Sequence, residues 1–554
     1  MNSELNPLRL ITEPSDESGR ERRAKRVREH YDRVASNRDK WISRNSYFHD
    51  EDSRFARFLV PEGLKVLDLG CGTGHLLENL KPSVGIGIDI SPGMIDVARH
   101  NFPAAHHPNL SFEVGDIENP ETLNALEGPF DVIILSDTIG LLEDVEATLT
   151  RLHDLSSNGT RIVVAYYSWL WTPVIALAEL FGAKMRQIPL NRLGPEDVSA
   201  LLELAEFDVI KWDWRQLLPR RLFGLGPLIN RSLATLPIIR RLGVRHYVVA
   251  RSRCHAGLNN PSTTIVIPCR NERENIAPAV NRLPEFCDDM EILFVEGHSQ
   301  DGTREEIERV IARHPERDIK LLLQDGEGKG NAVHMAFEAA RGEILMILDA
   351  DLTVPPEALS KFCNALVSGK GEFINGTRLV YPMEKRAMRP LNLIANFLFS
   401  MIFSWLLNQR FTDTLCGTKV LTKTNYEKIA ADRDYFGEFD PFGDFDLIFG
   451  AAKQSLKVVE LPIRYADRTY GETQISRFRH GLLLIRMVIF AFRKFAEGLD
   501  HRLERRGQRA KTQARCECQT DAFDTFVGRH LEGYEGAHTS CLRLHVNQLF
   551  ITWG

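Results

Sequence analysis

The chain has 554 residues, of which 43% are hydrophobic and 26% are charged. This length exceeds an ordinary single domain and the composition is that of a soluble globular protein, so at least two folded domains are predicted. The nine cysteines are scattered, which is typical of a reduced, cytoplasmic protein and argues against a disulfide framework. The net charge of -6 over this length says nothing about partners, and we expect no nucleic-acid partner. We expect neither a signal peptide nor a transmembrane helix, because Met1–Ser18 is polar and no apolar stretch is long enough.

Strand and helix patterns alternate in two separate series. The first series runs from Leu64 to about Val249 and the second from Thr263 to about Phe495. Two such series predict two α/β domains. The predicted segments are a disordered or helical N-terminal stretch at 1–45, a first domain at 46–250, a linker at 251–262, a second domain at 263–497 and a disordered tail at 498–554. Within the N-terminal stretch, Gly19–Arg44 is interpreted as a charged helix with a solvated face.

A glycine-rich turn opens the first series. The short strand Lys65–Leu69 leads into a turn that contains Gly70, Gly72 and Gly74. Glycines between a strand and a helix let a ligand approach the backbone closely. Asp89 ends the next strand about twenty residues later, the distance at which a carboxylate reaches a ribose hydroxyl pair. These features alone fit either a dinucleotide or S-adenosylmethionine.

Two carboxylates end an apolar run in the second series. Ile344–Pro356 reads as a strand buried on both faces and then Asp349 and Asp351. Acids at alternate positions of a straight strand point to opposite faces, so a shared ligand requires the backbone to turn. At the carboxyl edge of an open sheet, two such ligands suit Mg²⁺ or Mn²⁺ that holds a diphosphate. The alternative is a solvated loop with two acids.

The first series resembles class I S-adenosylmethionine-dependent methyltransferases. Val66–Gly74, with Asp68 before the glycines, is similar to their first motif, and Asp89, Gly115–Ile117 and Phe130–Ile133 are similar to the next three. The resemblance implies a Rossmann-like seven-stranded sheet with a C-terminal hairpin, and S-adenosyl-L-methionine as cofactor. The residues that it implies for cofactor binding are Asp68, Gly70, Gly72, Gly74, Asp89 at the ribose, Asp116 at the adenine, and Ile117. It implies no catalytic residue, so a silent binding module is the alternative.

The second series resembles the GT-A fold of family 2 glycosyltransferases, most of all the dolichyl-phosphate mannose synthase-like polyprenyl-phosphate sugar transferases. The similar motifs are Ile265–Ile276, Glu291–Thr303, Gly326–Ala332 and Leu348–Leu352. The resemblance implies that a nucleotide-sugar is bound by Pro268, Arg270, Glu272, Glu296, Lys329 and Asp349, and that Asp349 and Asp351 hold the metal. Glu296 and Gly297 stand where the family usually has two aspartates, so the resemblance does not identify the nucleotide of the donor.

Later motifs supply the implied catalytic residues. Gly376–Arg378 resembles a segment that reaches the donor diphosphate, and Thr412–Lys419 resembles one near the acceptor. Arg468–Gln474 resembles a loop that normally ends in Ser-Lys, so Gln474 removes one expected cation. The family keeps an acid near Asp444 and Asp446 that could act as a base. The implied catalytic residues are Asp351, Asp444, Arg378 and Arg468.

Two acceptor classes stay open for the sugar. A hydroxyl acceptor, as in a glycan, must lose a proton and needs a positioned base. A phosphate monoester is already anionic near neutral pH and needs cations rather than a base. Arg378, Lys419 and Arg468 favour polyprenyl phosphate, whereas Asp444 and Asp446 favour the hydroxyl.

Two apolar helices bear on a membrane. Leu391–Leu407 has a polar residue at every fourth position among Leu, Ile, Phe and Trp, and Arg479–Phe495 is apolar with basic residues. They predict either core packing or binding to the inner face of a membrane, and we expect the peripheral arrangement. The apolar stretch Val163–Gly182 is interpreted differently, as a fifth strand followed by a buried helix.

Overall fold

The computed structural model describes residues 17–381, 390–433, 443–468, 470 and 485–492. The chain divides into two units, Met1–Leu499 and Asp500–Gly554, and the second lies wholly outside the described residues. The predictions of disorder at the two chain ends, and the loss of a cation at Gln474, also fall outside them. Among the helices of the described part, none is both long enough and apolar enough to cross a membrane.

The first domain is built on a seven-stranded sheet in the order β3-β2-β1-β4-β5-β7-β6. Its strands are β1 (Lys65–Leu69), β2 (Val84–Asp89), β3 (Leu110–Val114), β4 (Val132–Ser136), β5 (Arg161–Tyr167), β6 (Phe207–Arg215) and β7 (Arg245–Ser252). The first five are parallel, and β7 runs antiparallel between β5 and β6. The Rossmann-like sheet with a C-terminal hairpin is thus confirmed. β1 and β4 are apolar and buried, as expected for parallel strands covered on both faces.

Helices cover both faces of this sheet. They are α1 (Glu17–Arg44), α2 (Ser46–Leu59), α3 (His75–Leu80), α4 (Pro92–Asn101), α5 (Pro120–Asn124), α6 (Val145–Arg151), α7 (Thr172–Leu180), α8 (Pro195–Leu204) and α9 (Leu225–Arg231). α4 begins after Ser91, whose hydroxyl accepts from the Met94 amide, and Pro92 suits the first turn because that position needs no amide hydrogen. Such caps place the helix N-termini beside the strand ends where the site lies.

The second domain has a mixed sheet of seven strands in the order β10-β9-β8-β11-β13-β12-β14. Its strands are β8 (Thr263–Cys269), β9 (Met290–Glu296), β10 (Asp318–Leu323), β11 (Ile344–Ile347), β12 (Phe373–Thr377), β13 (Lys419–Thr422) and β14 (Val458–Pro462). β13 is antiparallel to both β11 and β12, and the other pairs are parallel. The prediction of a second α/β domain is therefore confirmed.

The helices of the second domain complete its layers. They are α10 (Arg273–Asn281), α11 (Thr303–Arg313), α12 (Gly328–Ala339), α13 (Leu359–Val367), α14 (Pro390–Leu407), α15 (Lys423–Ala431) and α16 (Asp444–Lys453). One apolar cluster lies between β8, β9, β11 and the helices α10, α11 and α13. Another contains α12, α14 and α16 and continues into the first domain.

Residues 19–44 form a charged helix with a solvated face, but the opposite face packs on the first domain. α1 packs along α4, and its Val27 and Ala35 are buried. Asp32 accepts hydrogen bonds from the Ser91 hydroxyl and the Gly93 amide at the start of α4. The high charge of α1 therefore serves specific polar contacts, and the helix lies over the carboxyl edge of the first sheet.

The interpretation of Val163–Gly182 is half wrong. β5 is buried as predicted, but no residue of α7 is buried. Leu177 is 55% exposed, Leu180 67% and Phe181 80%. The apolar side chains of α7 are therefore not part of the hydrophobic core.

Buried polar contacts join the two domains. The Glu372 carboxylate lies 2.8 Å from Arg161 and 3.8 Å from Arg251, two arginines of the first sheet. Lys453 donates to the Phe58 carbonyl at 2.7 Å, and Lys457 donates to a carbonyl of β6 at 2.6 Å. Each of these cations has an oxygen partner across the interface, and Arg251 also lies 3.1 Å from Asp208 of its own domain. The cross-domain contacts therefore contribute to the stability of the buried charges while the domains stay together.

Replacing Glu372 with glutamine should destabilise the protein by about 2–3 kcal/mol, because two buried guanidinium groups lose their shared anion. Arg161 and Arg251 are 11% and 1% exposed, so solvent cannot compensate. Urea denaturation followed by circular dichroism measures the change. Glu308→Gln is the matched control, because it removes an ion pair with both side chains 53% exposed, and should cost less than about 0.5 kcal/mol. If both variants lose the same free energy of unfolding, the ion pairs of Glu372 contribute no more to stability than an exposed ion pair.

Candidate active sites

The glycine turn of the first domain adopts the backbone conformations that its sequence predicts. Gly70, Gly72 and Gly74 all have positive φ, at 86°, 53° and 81°. A Cβ atom at Gly70 would overlap the Thr138 hydroxyl, and one at Gly74 would lie 2.8 Å from the ring of Phe112. The turn therefore needs glycine for both conformation and space.

A cavity of about 540 Å³ lies at the carboxyl edge of the first sheet. Small-molecule sites commonly have volumes of roughly 300–1,000 Å³. Asp89 at the end of β2 accepts from the Gly72 and Ser91 amides, both at 2.9 Å. The predicted cofactor residues that line the cavity are Asp68, Gly70, Gly72, Asp89, Asp116 and Ile117. Gly74 does not line the cavity, and its positive φ is needed for the conformation of the turn.

The carboxylate of Asp68 has no hydrogen-bond partner among the described residues. It is 1% exposed, and both of its oxygens are buried in the wall of the cavity. Burial, with the nearby charge of Asp89, raises the pKa of Asp68 to about 7. An unpaired buried carboxylate is stabilised by a cationic ligand, and the ammonium group of S-adenosylmethionine is one. The residues present thus fit this cofactor.

The structure adds residues at this site that the sequence did not reveal. Tyr31 and Arg38 of α1 line the cavity, together with His49 of α2 and Asp137 after β4. All but Tyr31 also line an adjoining cavity of about 140 Å³ beside α7. Burial, followed by the charge of Arg38, lowers the pKa of His49 to about 4. The imidazole is therefore neutral at physiological pH and lies where two cavities meet. No local motif surrounds these residues, so only the fold could identify them.

In the second domain, the backbone turns where the Asp-x-Asp pattern required it. β11 ends at Ile347, the Leu352 amide donates to the Asp349 carbonyl at 3.1 Å, and Leu352 has a φ of 53°. This turn frees the two carboxylates from the alternation of a straight strand. The prediction of a turn between them is confirmed.

Both carboxylates of this turn are paired with cations. Lys329, at the start of α12, lies 2.7 Å from Asp349, and Arg468 lies 2.9 Å from Asp351 and 3.3 Å from Glu272. Burial, the largest single effect, would raise the pKa of Asp349, but the charge and hydrogen bond of Lys329 together with the charges of Lys419 and Arg378 lower the net pKa. The structure thus gathers five predicted residues from four separate motifs into one cluster of alternating charge.

Gly417 closes one side of this cluster. A Cβ atom there would overlap the Asp349 carboxylate and would lie 2.5 Å from the Lys329 ammonium. Glycine is therefore needed for close approach, because its φ is not in the left-handed region. The Thr412–Lys419 segment thus lies against the carboxylates, as its predicted position near the acceptor requires.

Arg378 forms a buried ion pair with Asp413. Its Nε and Nη2 donate to the two carboxylate oxygens at 2.6 and 2.8 Å, and Asp413 is fully buried. Burial, the largest single effect, would raise the pKa of Asp413, but the charge and hydrogen bonds of Arg378, together with a hydrogen bond from Asn396, lower the net pKa. Because both planar groups are fully engaged, Arg378 positions the segment that contains Asp413. The positive charge of Arg378 also helps to lower the pKa of Asp349, although Arg378 donates its hydrogen bonds to Asp413.

α14 turns its polar stripe inward and exposes apolar side chains in its N-terminal part, whereas Phe403, Leu406 and Leu407 near its C-terminal end are buried in the core. Asn396 donates to Asp413 at 2.8 Å, Ser400 to the Thr412 carbonyl at 2.9 Å, and Asn408 to Asp213 of the first domain at 2.7 Å. The exposed side chains of the helix are Leu393, Ile394, Phe397, Leu398 and Met401. The stripe therefore holds the site loop. Of the second predicted surface helix only 485–492 is described, and Ile485 and Ile489 there are about half exposed.

The two candidate bases lie at the start of α16. The side chain of Asp444 is outside the described part of the chain, but a Cβ atom at the preceding Gly443 would lie 2.6 Å from Gly330. The backbone at Asp444 is thus next to the Lys329 turn. Asp446 is buried instead against His334 and Arg433, at 3.1 and 3.4 Å. Of the two, Asp444 is the one near the cluster.

The predicted nucleotide residues lie at the ends of β8 and β9. Glu296 is 7% exposed and accepts from the Ser299 amide, and a Cβ atom at Gly297 would lie 2.7 Å from the Gln324 side chain. A second aspartate at Gly297 would therefore not fit without rearrangement. Pro268 is half-buried in β8, and Arg270 is exposed beyond it.

The carboxylates of Asp349 and Asp351 suit Mg²⁺ or Mn²⁺. Within the described residues no group of three or more His, Cys, Asp or Glu side chains could hold a metal ion. Mg²⁺ in phosphoryl sites commonly uses only one or two carboxylates and completes its shell with substrate phosphates and water. Two hard oxygen donors at a strand end fit that mode.

The two sheets, with polar clusters at their strand ends, define an α/β enzyme with two separate sites. Residues 61–209 match the family model "Methyltransferase domain", and residues 264–429 match "Glycosyl transferase family 2". The chain joins a methyltransferase domain to a family 2 glycosyltransferase domain.

Relatives match the individual domains. The chain is 28% identical over 233 residues to the low-salt glycan biosynthesis hexosyltransferase Agl6 of Haloferax volcanii, covering 41% of this chain and 53% of that one. It is 28% identical over 217 residues to the polyprenol monophosphomannose synthase of Mycolicibacterium smegmatis, covering 39% and 81%. The structure of an S-adenosylmethionine-dependent methyltransferase from Mesorhizobium loti shows 18% identity and a TM-score of 0.26, covering 35% and 95%. The chain thus spans about half the length of the Agl6 relative.

Proposed function

We propose that the second domain transfers a sugar, with inversion, from a nucleotide-sugar to polyprenyl phosphate, and that the first domain transfers a methyl group from S-adenosyl-L-methionine. The observation that carries the first part is the cluster of Asp349, Asp351, Lys329 and Arg468, closed by Gly417. The bounds 46–250 and 263–497 for the two domains remain a proposal, and α1 belongs with the first because it lines its cavity.

In the proposed sugar transfer, an oxygen of the acceptor phosphate attacks the anomeric carbon, and the bond from that carbon to the donor diphosphate breaks. The electron pair leaves with the nucleoside diphosphate, and attack from the opposite face inverts the carbon. Asp349 and Asp351 would hold a divalent cation, which would supply positive charge to neutralise the leaving diphosphate. In this proposal Lys329 and Arg468, which pair with Asp349 and Asp351 in the free protein, exchange these carboxylates for the phosphates of donor and acceptor.

The exposed apolar face of α14 supports a place at the cytoplasmic face of a membrane. This helix contacts Asp413 and Thr412 with its polar side, so a lipid that meets its outer face is already close to the site loop. The experiment that tests the proposal is mass spectrometry of the product after the purified chain meets a panel of nucleotide-sugars with polyprenyl phosphate. A sugar attached to a hydroxyl acceptor, with none on the phosphate, would overturn it.

Binding of S-adenosylmethionine should weaken as the pH falls. The ligand's ammonium favours the ionised form of Asp68, whose pKa in the free protein is about 7. Below that pKa the carboxyl must first lose its proton, so the affinity should fall by up to about tenfold per pH unit between about pH 7 and about pH 5. Calorimetric titration at several pH values measures this.

Asp68→Asn is the control for this pH dependence. The variant should bind more weakly at neutral pH, with an affinity that is nearly constant over the same range, because the amide does not titrate. If the pH dependence persists in the variant, another group carries it and the assignment of Asp68 fails. Methyl transfer by the wild-type protein, as against binding alone, separates an enzyme from a silent binding module.

A further inference from the structure

The methyltransferase domain exposes a continuous apolar and basic surface. Residues 220–242, between β6 and β7, contain five arginines and no Asp or Glu. Phe223 is fully exposed at a left-handed turn, Leu228 is 62% exposed and Ile238 is 83% exposed. Exposure of such large apolar side chains to water is unfavourable in free energy. A patch of them therefore indicates a binding surface.

Two tryptophans join this surface to the apolar helices on either side. The Trp171 indole, at the start of α7, donates to the Leu242 carbonyl at 2.8 Å. The Trp405 indole of α14 donates to the Thr235 carbonyl at 2.9 Å, and Arg240 donates back to the Trp405 carbonyl at 2.8 Å. The exposed residues of α7, of 220–242 and of α14 therefore form one surface across both domains, which we call the apolar-basic face.

The charge of this face indicates its partner. Four of the five arginines, Arg220, Arg221, Arg231 and Arg241, are exposed beside the protruding apolar side chains. A segment with five arginines and no acid complements an anionic surface, and the boundary of an anionic bilayer accommodates apolar side chains and cationic heads together. Arginine stems also lie along apolar surface while their charged ends reach the lipid phosphates.

We propose that the apolar-basic face docks the chain onto an anionic membrane through its methyltransferase domain, with residues 220–242 at the centre. This goes beyond the proposed function, in which α14 alone meets lipid. It is independent of which sugar or methyl acceptor is used. It also places the cavity that adjoins His49 next to the bilayer, because Val174 and Arg220 line that cavity and belong to the face.

The test is co-sedimentation of the full chain with vesicles of phosphatidylcholine, with and without phosphatidylglycerol. We expect binding only when phosphatidylglycerol is present. The double variant Phe223→Ser with Ile238→Ser should weaken binding by about tenfold or more for each side chain, because each loses its burial in the bilayer. Arg221→Gln with Arg241→Gln should weaken it by about fivefold per arginine.

Leu204→Ser and Leu323→Ser are the matched controls. These leucines are 63% and 49% exposed but lie at the end of α8 and on β10, away from the face. Both controls should bind vesicles like the wild-type protein. Phe397→Ser measures the part due to α14 separately.

Three results would overturn the proposal. The first is no binding of the wild-type chain to phosphatidylglycerol vesicles, and the second is unchanged binding by the Phe223 and Ile238 double variant. The third is a wild-type dimer, seen by analytical ultracentrifugation, that becomes monomeric in that variant, since a second copy would then occupy the face. Each outcome leaves the proposed transfers standing, because these are measured with short-chain acceptors in detergent.

Discussion

Asp351→Asn should abolish sugar transfer and leave methyl transfer unchanged. A neutral amide is a poorer ligand than a carboxylate for a hard cation, and the charge that develops on the leaving diphosphate would lose its counterion. Losses on removing such transition-state stabilisation are commonly about 10²–10³-fold or more in turnover. Asp351 is bonded to Thr353 and Arg468 and is not part of the core, so the fold should survive.

Two readouts make this test decisive. Turnover of sugar is measured with and without EDTA followed by added Mg²⁺ or Mn²⁺, and S-adenosylmethionine binding is measured by calorimetry as a control for folding. Asp301→Asn is a matched aspartate variant, since that carboxylate also bonds a threonine at a turn but lies after β9. Sugar transfer that survives both Asp351→Asn and EDTA would rule out the metal role.

Arg468→Ala should reduce sugar transfer by about 10²-fold or more, while Asp444→Asn should cost little. A phosphate acceptor brings its own negative charge, so the reaction depends on cations that hold two anionic reactants together. Arg468 pairs with Asp351 and Glu272, whereas Lys329 pairs with Asp349. Because the two cations lie at different carboxylates, neither can replace the other.

The opposite pattern would favour a hydroxyl acceptor. Loss of a general base at Asp444 would then cost about 10²–10⁴-fold in turnover, and Arg468→Ala would be tolerated. Asp446→Asn is the matched control, because that carboxylate is buried against His334 and Arg433. Turnover with a saturating nucleotide-sugar, measured at several acceptor concentrations, separates a loss of binding from a loss of chemistry.

The succession of strands along the chain and the strand-end motifs were predictable from the sequence, since apolar runs, glycine turns and acids have local signatures. The turn between Asp349 and Asp351 follows from the alternation of side chains on a strand. The pairing of Arg378 with Asp413 was not predictable, because two residues far apart in sequence show no sign of their contact. The same holds for His49, which has no motif around it.

The packed face of α1 and the exposed face of α7, neither of which was predicted, have one physical cause. The hydrophobic pattern of a helix predicts that its two faces differ in polarity. It does not predict whether each face contacts solvent, another part of the protein or a lipid. In α1 the charged side chains find specific partners such as Ser91, so a charged face is partly buried. In α7 and α14 apolar side chains face outward, because polar groups of α14 are needed at the Asp413 loop. Tertiary contacts decided these cases.

The interface at Glu372 has a kinetic consequence. Arg161, Arg251 and Lys453 join the two sheets, so a swing of one candidate site toward the other would have to break these buried contacts. A molecule handled by both domains must leave one site and diffuse to the second. If it is anchored in the same bilayer as the enzyme, that search is confined to two dimensions near one fixed body. Its effective concentration at the second site then depends on the lateral distance between the two sites, as it does for tethered ligands.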